Sequence, residues 1–399
     1  VRLGDRGAFP TLEADAYLAH AAIAPVAAPV RDAVLGVLDD YARRGMGAWA
    51  RWRDDREALR GELAELLGVE APRIGLTQST SAGLLAFAQC FPWRAGDGVV
   101  LFEGEFPANV TPWLLAAQEH GLRVRWLRAG DFAPGGPGLA RLEAVVAGGD
   151  VRLVAVSAVQ FQTGLAMPLQ AIGEVCRARG VTLAVDAIQA AGVVPLDLRA
   201  LPIDLLAGGA HKWLMGVEGA GYVYVSEDLA RHLRPRVAGW LSHVDGIGFL
   251  FEGEGRLRYD RPLREAPAVL ELGSQSVAGF AALRAGLAMI RGLGVAAIHA
   301  HVNAWLDAFE PQAVALGFES LRSPHPEARS GVLALRPRRG VDLPRLHAAL
   351  AARGVAVTTP DGLLRVAPHG FNPLEEVPRV VAALADAAHE VRPGSGGGT

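Results

Sequence analysis

Cysteine is almost missing: Cys90 and Cys176 are the only two in 399 residues. Two thiols cannot frame a disulfide-stapled fold, and both lie in apolar, helix-like stretches. They read as reduced core residues, which suits a cytoplasmic location. An excess of one charge is missing too. The chain carries 39 basic and 42 acidic residues, a formal net charge of −3, so no basic surplus asks for nucleic acid. No apolar run reaches membrane length, because Arg or Asp interrupts VRLVAVSAV and VTLAVDAIQAAGVV. The N-terminal stretch VRLGDRGAFPTLEADAYL lacks the apolar core of a secretory signal. Lysine is scarce, while alanine, arginine and glycine are abundant, and no function follows from that alone. Hydrophobic residues make up 51% and charged residues 20%, the balance of an ordinary globular enzyme. The length allows two domains and a large core.

Between about residues 70 and 225, short apolar runs alternate with helix-like segments. RIGLTQ, GVVLFEG, RVRWLRA, VRLVAVSAV, VTLAVDA, IDLLAGGA and GYVYVS read as strands. TPWLLAAQEHG, PLQAIGEVCRARG and DLRALP have helical spacing between them. This alternation predicts a mostly parallel sheet with helices on both faces. Two amphipathic helices precede it. In the second, RWRDDREALRGELAELLG, the Arg56/Arg60 and Glu62/Glu65 positions read as solvated surface. After about residue 290, helices alternate with the strand-like runs GVLALRP, VAVTT and LLRVAP, the pattern of a smaller α+β domain with an antiparallel sheet. The expected organisation is an arm at 1–15, a large domain at 16–285, a small one at 286–391 and a flexible tail at 392–399.

Asp186 closes the run VTLAVDAIQ, and Lys212 follows IDLLAGGAHKW. A carboxylate at one strand end and a lysine beyond the next are what pyridoxal phosphate chemistry requires. The amine forms a Schiff base with the cofactor aldehyde, and the acid keeps the pyridine nitrogen protonated. Taken singly, such a lysine is usually solvated and such an Asp usually caps a helix. The surrounding motifs decide between these readings. Gly75–Gly83 (GLTQSTSAG) follows one strand and opens a helix, where free N–H groups and hydroxyls can seat a phosphate or simply form an N-cap. Phe106, in EFPAN after another strand, can lie over a cofactor ring or fill a core. No GxGxxG or GxxxxGK[ST] sits between a strand and a helix.

These motifs, in this order, resemble the class V aminotransferase family, in the group of cysteine desulfurases, isopenicillin N epimerase and kynureninase. The similarity runs from Tyr17-Leu18-Ala19-His20 to Asn372. The segment VTLAVDAIQAAGVVPLDLRALPIDLLAGGAHKWLMGVEGAGYVYV carries most of it. The resemblance implies an α/β protein of pyridoxal-phosphate fold type I. Its large domain would hold a seven-stranded, mainly parallel sheet, and a smaller C-terminal α+β domain would follow. By the same resemblance, Lys212 is the Schiff-base lysine, Asp186 the partner of the pyridine nitrogen and Gln189 the partner of the cofactor phenolic oxygen. Thr80, Ser81 and His211 fall at phosphate positions, and Phe106 at the ring-stacking position. Gln160, in SAVQFQTG, falls near the substrate carboxylate or the phenolic oxygen. Ser274, in LGS, matches a segment that reaches the phosphate of a neighbouring subunit, which implies a homodimer with shared sites. Arg365, in LLRVAPHGFN, matches the clamp for the carboxylate of a small amino-acid substrate.

Three departures qualify the likeness. VAVTTPDGLLRV contains no cysteine, which disfavours a persulfide-type desulfurase. Gly209 stands where many relatives place Ser or Thr against the phosphate. His20 falls near the expected substrate mouth, as a general acid, a specificity residue or a structural histidine. His299 and His301, two apart on a helix, face different sides and make no metal site. Transamination is the favoured expectation, with β-elimination or epimerisation next, and a cofactor-fold protein without turnover last. The substrate side chain is not legible in residues such as His20, Trp240 and His243.

Overall fold

The seven strand-like runs form a single sheet in the computed structural model, which describes residues 1–391; the expected tail lies outside the described residues. The chain enters through β1 (Ala16–Tyr17), α1 (Ala28–Arg44) and α2 (Trp49–Leu67). Gly68 stops α2 in the left-handed conformation (φ 71°), with its N–H returning to the Ala64 and Glu65 carbonyls. The sheet strands are β2 (Ile74–Thr77), β3 (Gly98–Glu103), β4 (Arg123–Arg128), β5 (Val151–Ser157), β6 (Thr182–Asp186), β7 (Leu205–Gly209) and β8 (Gly221–Val225). Their order is β2-β8-β7-β6-β5-β3-β4. β8 runs antiparallel to both neighbours and the other pairs are parallel. Every residue of β7 and β8 is buried, as expected of strands covered by helices on both faces.

Those helices are α3 (Thr80–Cys90), α4 (Thr111–His120), α5 (Gly138–Val146) and α6 (Leu169–Ala178), followed beyond the sheet by α7 (Glu227–His232). DLRALP, expected to be helical, is a turn tied to α2 by the Leu198 amide on the Leu67 carbonyl. Cys90 and Cys176 are both buried.

A second core lies beyond α8 (Val277–Leu293). It contains α9 (Val295–Ala315), β9 (Glu319–Ser320), β10 (Leu333–Arg336), α10 (Leu343–Ala351), β11 (Val355–Ala356), β12 (Leu364–Val366) and α11 (Val377–Glu390). Here β12, β10 and β9 form an antiparallel sheet. Two details differ from the expected boundaries. β1 pairs with β11, and Ala16, Leu18, Ala21, Ala27 and Val30 share a core with the C-terminal elements. α8 runs unbroken through residue 285: Phe280, Leu283 and Leu287 face the large sheet's core, while Ala282, Met289 and Ile290 face the second. Among the described residues, no single helix is long and apolar enough to cross a membrane.

The Arg-rich face of α2 is the clearest correction. Arg60 is buried rather than solvated, and with Arg56 and Arg264 it surrounds the fully buried Glu271. Glu271 also accepts the Leu76 amide at 2.9 Å, which pins α2 to β2.

Candidate active site

The carboxyl ends of β5, β6 and β7 converge, the place where ligands bind in open α/β sheets. Asp186 ends β6 beside Ser157 of β5 and is 2% exposed. One of its oxygens accepts the Ile188 amide at 2.8 Å. Burial pushes its carboxyl up to about 6, against the pull of that amide and of Lys212. β7 ends at Gly209, and the next three residues turn Lys212 back toward Asp186. The turn is closed by the Gly216 amide on the Ala210 carbonyl and the Met215 amide on the Lys212 carbonyl. Burial pulls the Lys212 amine down to about 8; Asp186 opposes this and Arg365 adds to it. Lys212 Nζ lies over the Phe106 ring, 5.5 Å from its centroid. Phe106 is 46% exposed and meets Phe161 edge-on at 5.4 Å, so its ring is open to solvent rather than packed in a core.

Arg365 projects from β12. Its Nε donates to Thr358 Oγ1 at 3.0 Å and its Nη1 to the Phe161 carbonyl at 2.8 Å. Thr358 and Arg365 bridge each other across a short hairpin, whose Asp361 accepts from Gln162 at 2.6 Å. Arg365 is 5% exposed, and burial alone pulls its guanidinium down to about 10; among the described residues no carboxylate offsets this. A guanidinium has five N–H donors, so this one keeps donors for a ligand.

At the other end of the site, Ser79 caps α3 through the Ala82 amide, and Thr80 opens the helix. Thr80 Oγ1 is buried without a hydrogen-bond partner among the described residues, and Ser81 is exposed beside it. A Cβ built on Gly209 would come within 3.0 Å of Thr80 Oγ1 and 3.7 Å of His211 Nδ1. Gly209 therefore leaves open the space on which a hydroxyl, an imidazole and a helix N-terminus converge. Burial and Lys212 lower the pKa of His211, and Glu218 opposes them. The orphaned hydroxyl, the acid at one end and the depressed amine between them suit an aromatic aldehyde that carries a phosphate.

Other expected site residues are engaged elsewhere. Gln189 donates to the Ala21 carbonyl at 2.8 Å and accepts from Trp213 Nε1 at 2.9 Å. Gln160 donates to the Gly104 carbonyl and accepts the Gln162 and Thr163 amides, organising its own loop. His20 lies at no open mouth. It is 2% exposed, bonds the Ala367 carbonyl through Nδ1 at 3.1 Å and packs among Tyr17, Trp213 and His369. Burial holds its pKa well below the usual value, with His369 adding to the shift. Ser274 lines a separate cavity of about 930 Å³ with Trp240, Gln275, Arg56 and Arg264, and none of Lys212, Asp186 or Arg365 borders it. Sequence reading also passed over two signals. Lys212 is the only lysine in the chain, and Glu105, beside Phe106, is a half-buried carboxyl bonded to Ser157.

A mainly parallel seven-stranded sheet with a buried Asp–Lys pair and a phosphate-ready helix end defines a pyridoxal-phosphate enzyme of fold type I. The chain belongs to the class-V aminotransferase family, whose pattern matches residues 16–372. An uncharacterized aminotransferase of Bacillus subtilis, YcbU, is 26% identical over 95% of this chain and 96% of its own length. Isopenicillin N epimerase of Amycolatopsis lactamdurans is 31% identical, covering 82% of this chain and 83% of its own. Among solved structures, a C-DES mutant with glycine covalently linked to the PLP cofactor superposes with a TM-score of 0.85 at 23% identity, covering 96% and 99%. An apo cysteine desulfurase of Thermococcus onnurineus gives 0.81 at 22% identity, covering 94% of both chains.

Proposed function

We propose that this protein transaminates a small amino acid, with Lys212, Asp186 and Arg365 as its working groups. The observation that carries this reading is Arg365: a buried guanidinium without a counter-ion among the described residues, close enough to depress the lysine amine. An uncompensated buried cation is costly, and a substrate carboxylate would relieve that cost. Pyridoxal phosphate, when bound, supplies an aldehyde anchor and an electron-accepting ring. Thr80, Ser81 and His211 would hold its phosphate, Phe106 would cover its ring and Asp186 would keep a proton on the ring nitrogen. Arg365 fixes the substrate carboxylate and so orients the Cα–H bond. Lys212 Nζ takes the proton from Cα. Inversion at Cα would need a second acid or base on the opposite face, and Phe106 has no titratable atom to offer. This supports transfer over epimerisation.

β-Elimination is the second reading, supported by relatives in sulfur chemistry such as a probable cysteine desulfurase of Methanothermobacter thermautotrophicus, 28% identical over 73% of this chain. A persulfide route finds no support here. Cys90 and Cys176 are both buried, and burial pushes the Cys176 thiol up to about 12. Both thiols suit a reducing, cytoplasmic setting. Ser274, remote from Lys212 in its own chain, supports a homodimer in which it serves the partner's site. The test is an amino-acid panel with product analysis. A keto acid formed in step with loss of the yellow colour supports transamination. Pyruvate with a released β-substituent supports elimination. No turnover, and no borohydride-fixed cofactor on Lys212, would overturn both.

A further inference from the structure

Glu105 takes no part in the reading above, yet it is tightly built into the same site. It follows β3 and immediately precedes Phe106. One oxygen accepts the Ser157 amide at 2.7 Å and the other accepts the Ser157 hydroxyl. Ser157 is the register partner of Asp186 on the adjacent strand, and paired strands lie about 4.8 Å apart. The Ala158 amide continues the link by donating to the Asp186 main-chain carbonyl at 2.8 Å. Ser157 thus stands between two carboxyls at the sheet's carboxyl end, bonded to one and paired in register with the residue that bears the other. Hydrogen bonds from Ser157, rather than an Arg or Lys, hold the outer one.

A second, half-buried carboxyl near Asp186 is unfavourable unless a cation joins the pair. The protonated ring nitrogen of the cofactor is such a cation. We propose that Glu105 is a positioning residue of the cofactor site: through Ser157 it fixes the strand end that carries Asp186, and its charge helps Asp186 hold the proton on the ring nitrogen. This rests on the reading of Asp186 as the ring-nitrogen partner.

The electrostatics agree. Burial pushes Glu105 up to about 7; Ser157 pulls it down and Asp186 pushes it further up. Near neutral pH a neighbouring cation is then enough to ionise it. The other ionisable groups that interact with Asp186 are Lys212 and Tyr222, whereas Arg365 and His211 interact with Lys212. Burial, with Asp186 adding, keeps the Tyr222 phenol neutral, so Glu105 is the extra anion.

The experiment follows the proton itself, by nitrogen NMR of cofactor isotopically labelled at the ring nitrogen. Wild type, Glu105→Gln, Ser157→Ala and Asp186→Asn holoenzymes would be titrated, with cofactor dissociation constants measured alongside. Glu105→Gln should keep the covalent link to Lys212. Its ring nitrogen should deprotonate about one pH unit lower, with affinity about tenfold weaker. Ser157→Ala should shift the same way by less. A Glu105→Gln titration that coincides with wild type overturns the proposal. So does weakened affinity without a shift, which marks a purely structural role. Should Glu105→Gln fail to fold, Ser157→Ala decides by the same shift or its absence. An unshifted Asp186→Asn removes the ring-nitrogen reading and the proposal with it, whereas a shift there and none in Glu105→Gln removes the proposal alone.

Discussion

Lys212 sits where arginine could supply charge but not a nucleophilic amine. Every other cationic side chain that is not histidine is arginine, so the one lysine marks the one place that needs an amine. Its depressed pKa predicts how the apoenzyme captures its cofactor. The neutral amine is the reactive form, so the capture rate should rise with pH and reach half its maximum near pH 8. Asp186→Asn removes the anion that favours the ammonium and should move that midpoint down. Arg365→Ala removes a neighbouring cation and should move it up. Stopped-flow absorbance across pH checks both signs. Arg365 makes a second prediction. An Arg365→Lys enzyme keeps the charge but loses the planar fork, and a charge-assisted hydrogen bond contributes about 1.5–3 kcal/mol. kcat/KM should therefore fall roughly 10- to 150-fold while the cofactor stays bound, as steady-state kinetics with the best substrate would show. Both residues were legible in the sequence by position. That Arg365 lacks a counter-ion was not, because that depends on what three separate segments leave unpaired.

At the scale of elements, the strands were legible because parallel strands buried on both faces read as continuous apolar runs, as VRLVAVSAV and IDLLAGGA do. The role of α2 was not. Arg60 resembles surface charge because its partner Glu271 lies 211 residues away, beyond any local pattern. Burial alone would raise the pKa of Glu271. Arg60, Arg56 and the Leu76 amide outweigh burial, and the net shift is downward. A carboxyl with a lowered folded-state pKa gives stability that is fully present above its unfolded value and lost as pH falls through the folded value. The acid limb of unfolding should thus carry a Glu271 contribution that begins below about pH 4.5, the ordinary value. Glu271→Gln should remove that contribution. It should also destabilise the protein by up to about 3–5 kcal/mol, because Arg56 loses its ion-pair partner and Arg60 keeps only the more exposed Glu57. Urea melts at several pH values measure both effects.

At the scale of the molecule, the apolar surface is uneven. Tyr41, at the end of α1, and Trp240 are exposed and line the same cavity of about 930 Å³ as Ser274. Trp49, at the start of α2, meets the exposed Phe251 at 5.0 Å. Leu35, Leu38 and Met46 are exposed on α1 and the turn after it. Exposed apolar patches commonly mark interfaces, and the proposed homodimer would give this face an occupant. A sequence names such residues but cannot show that Tyr41, Trp49 and Trp240 line one cavity with Ser274, because α1, α2 and the 239–275 segment meet only in the fold. If a second copy covers this face and Ser274 reaches its phosphate, assembly and cofactor binding are one equilibrium. Trp240→Arg, which places a charge at that face, should yield monomer in sedimentation. It should also weaken cofactor affinity, although residue 240 does not border the Lys212 site. Ser274→Ala should leave the dimer intact and lower cofactor affinity alone. A Trp240→Arg monomer that holds its cofactor as tightly as wild type would show each chain's site to be complete by itself.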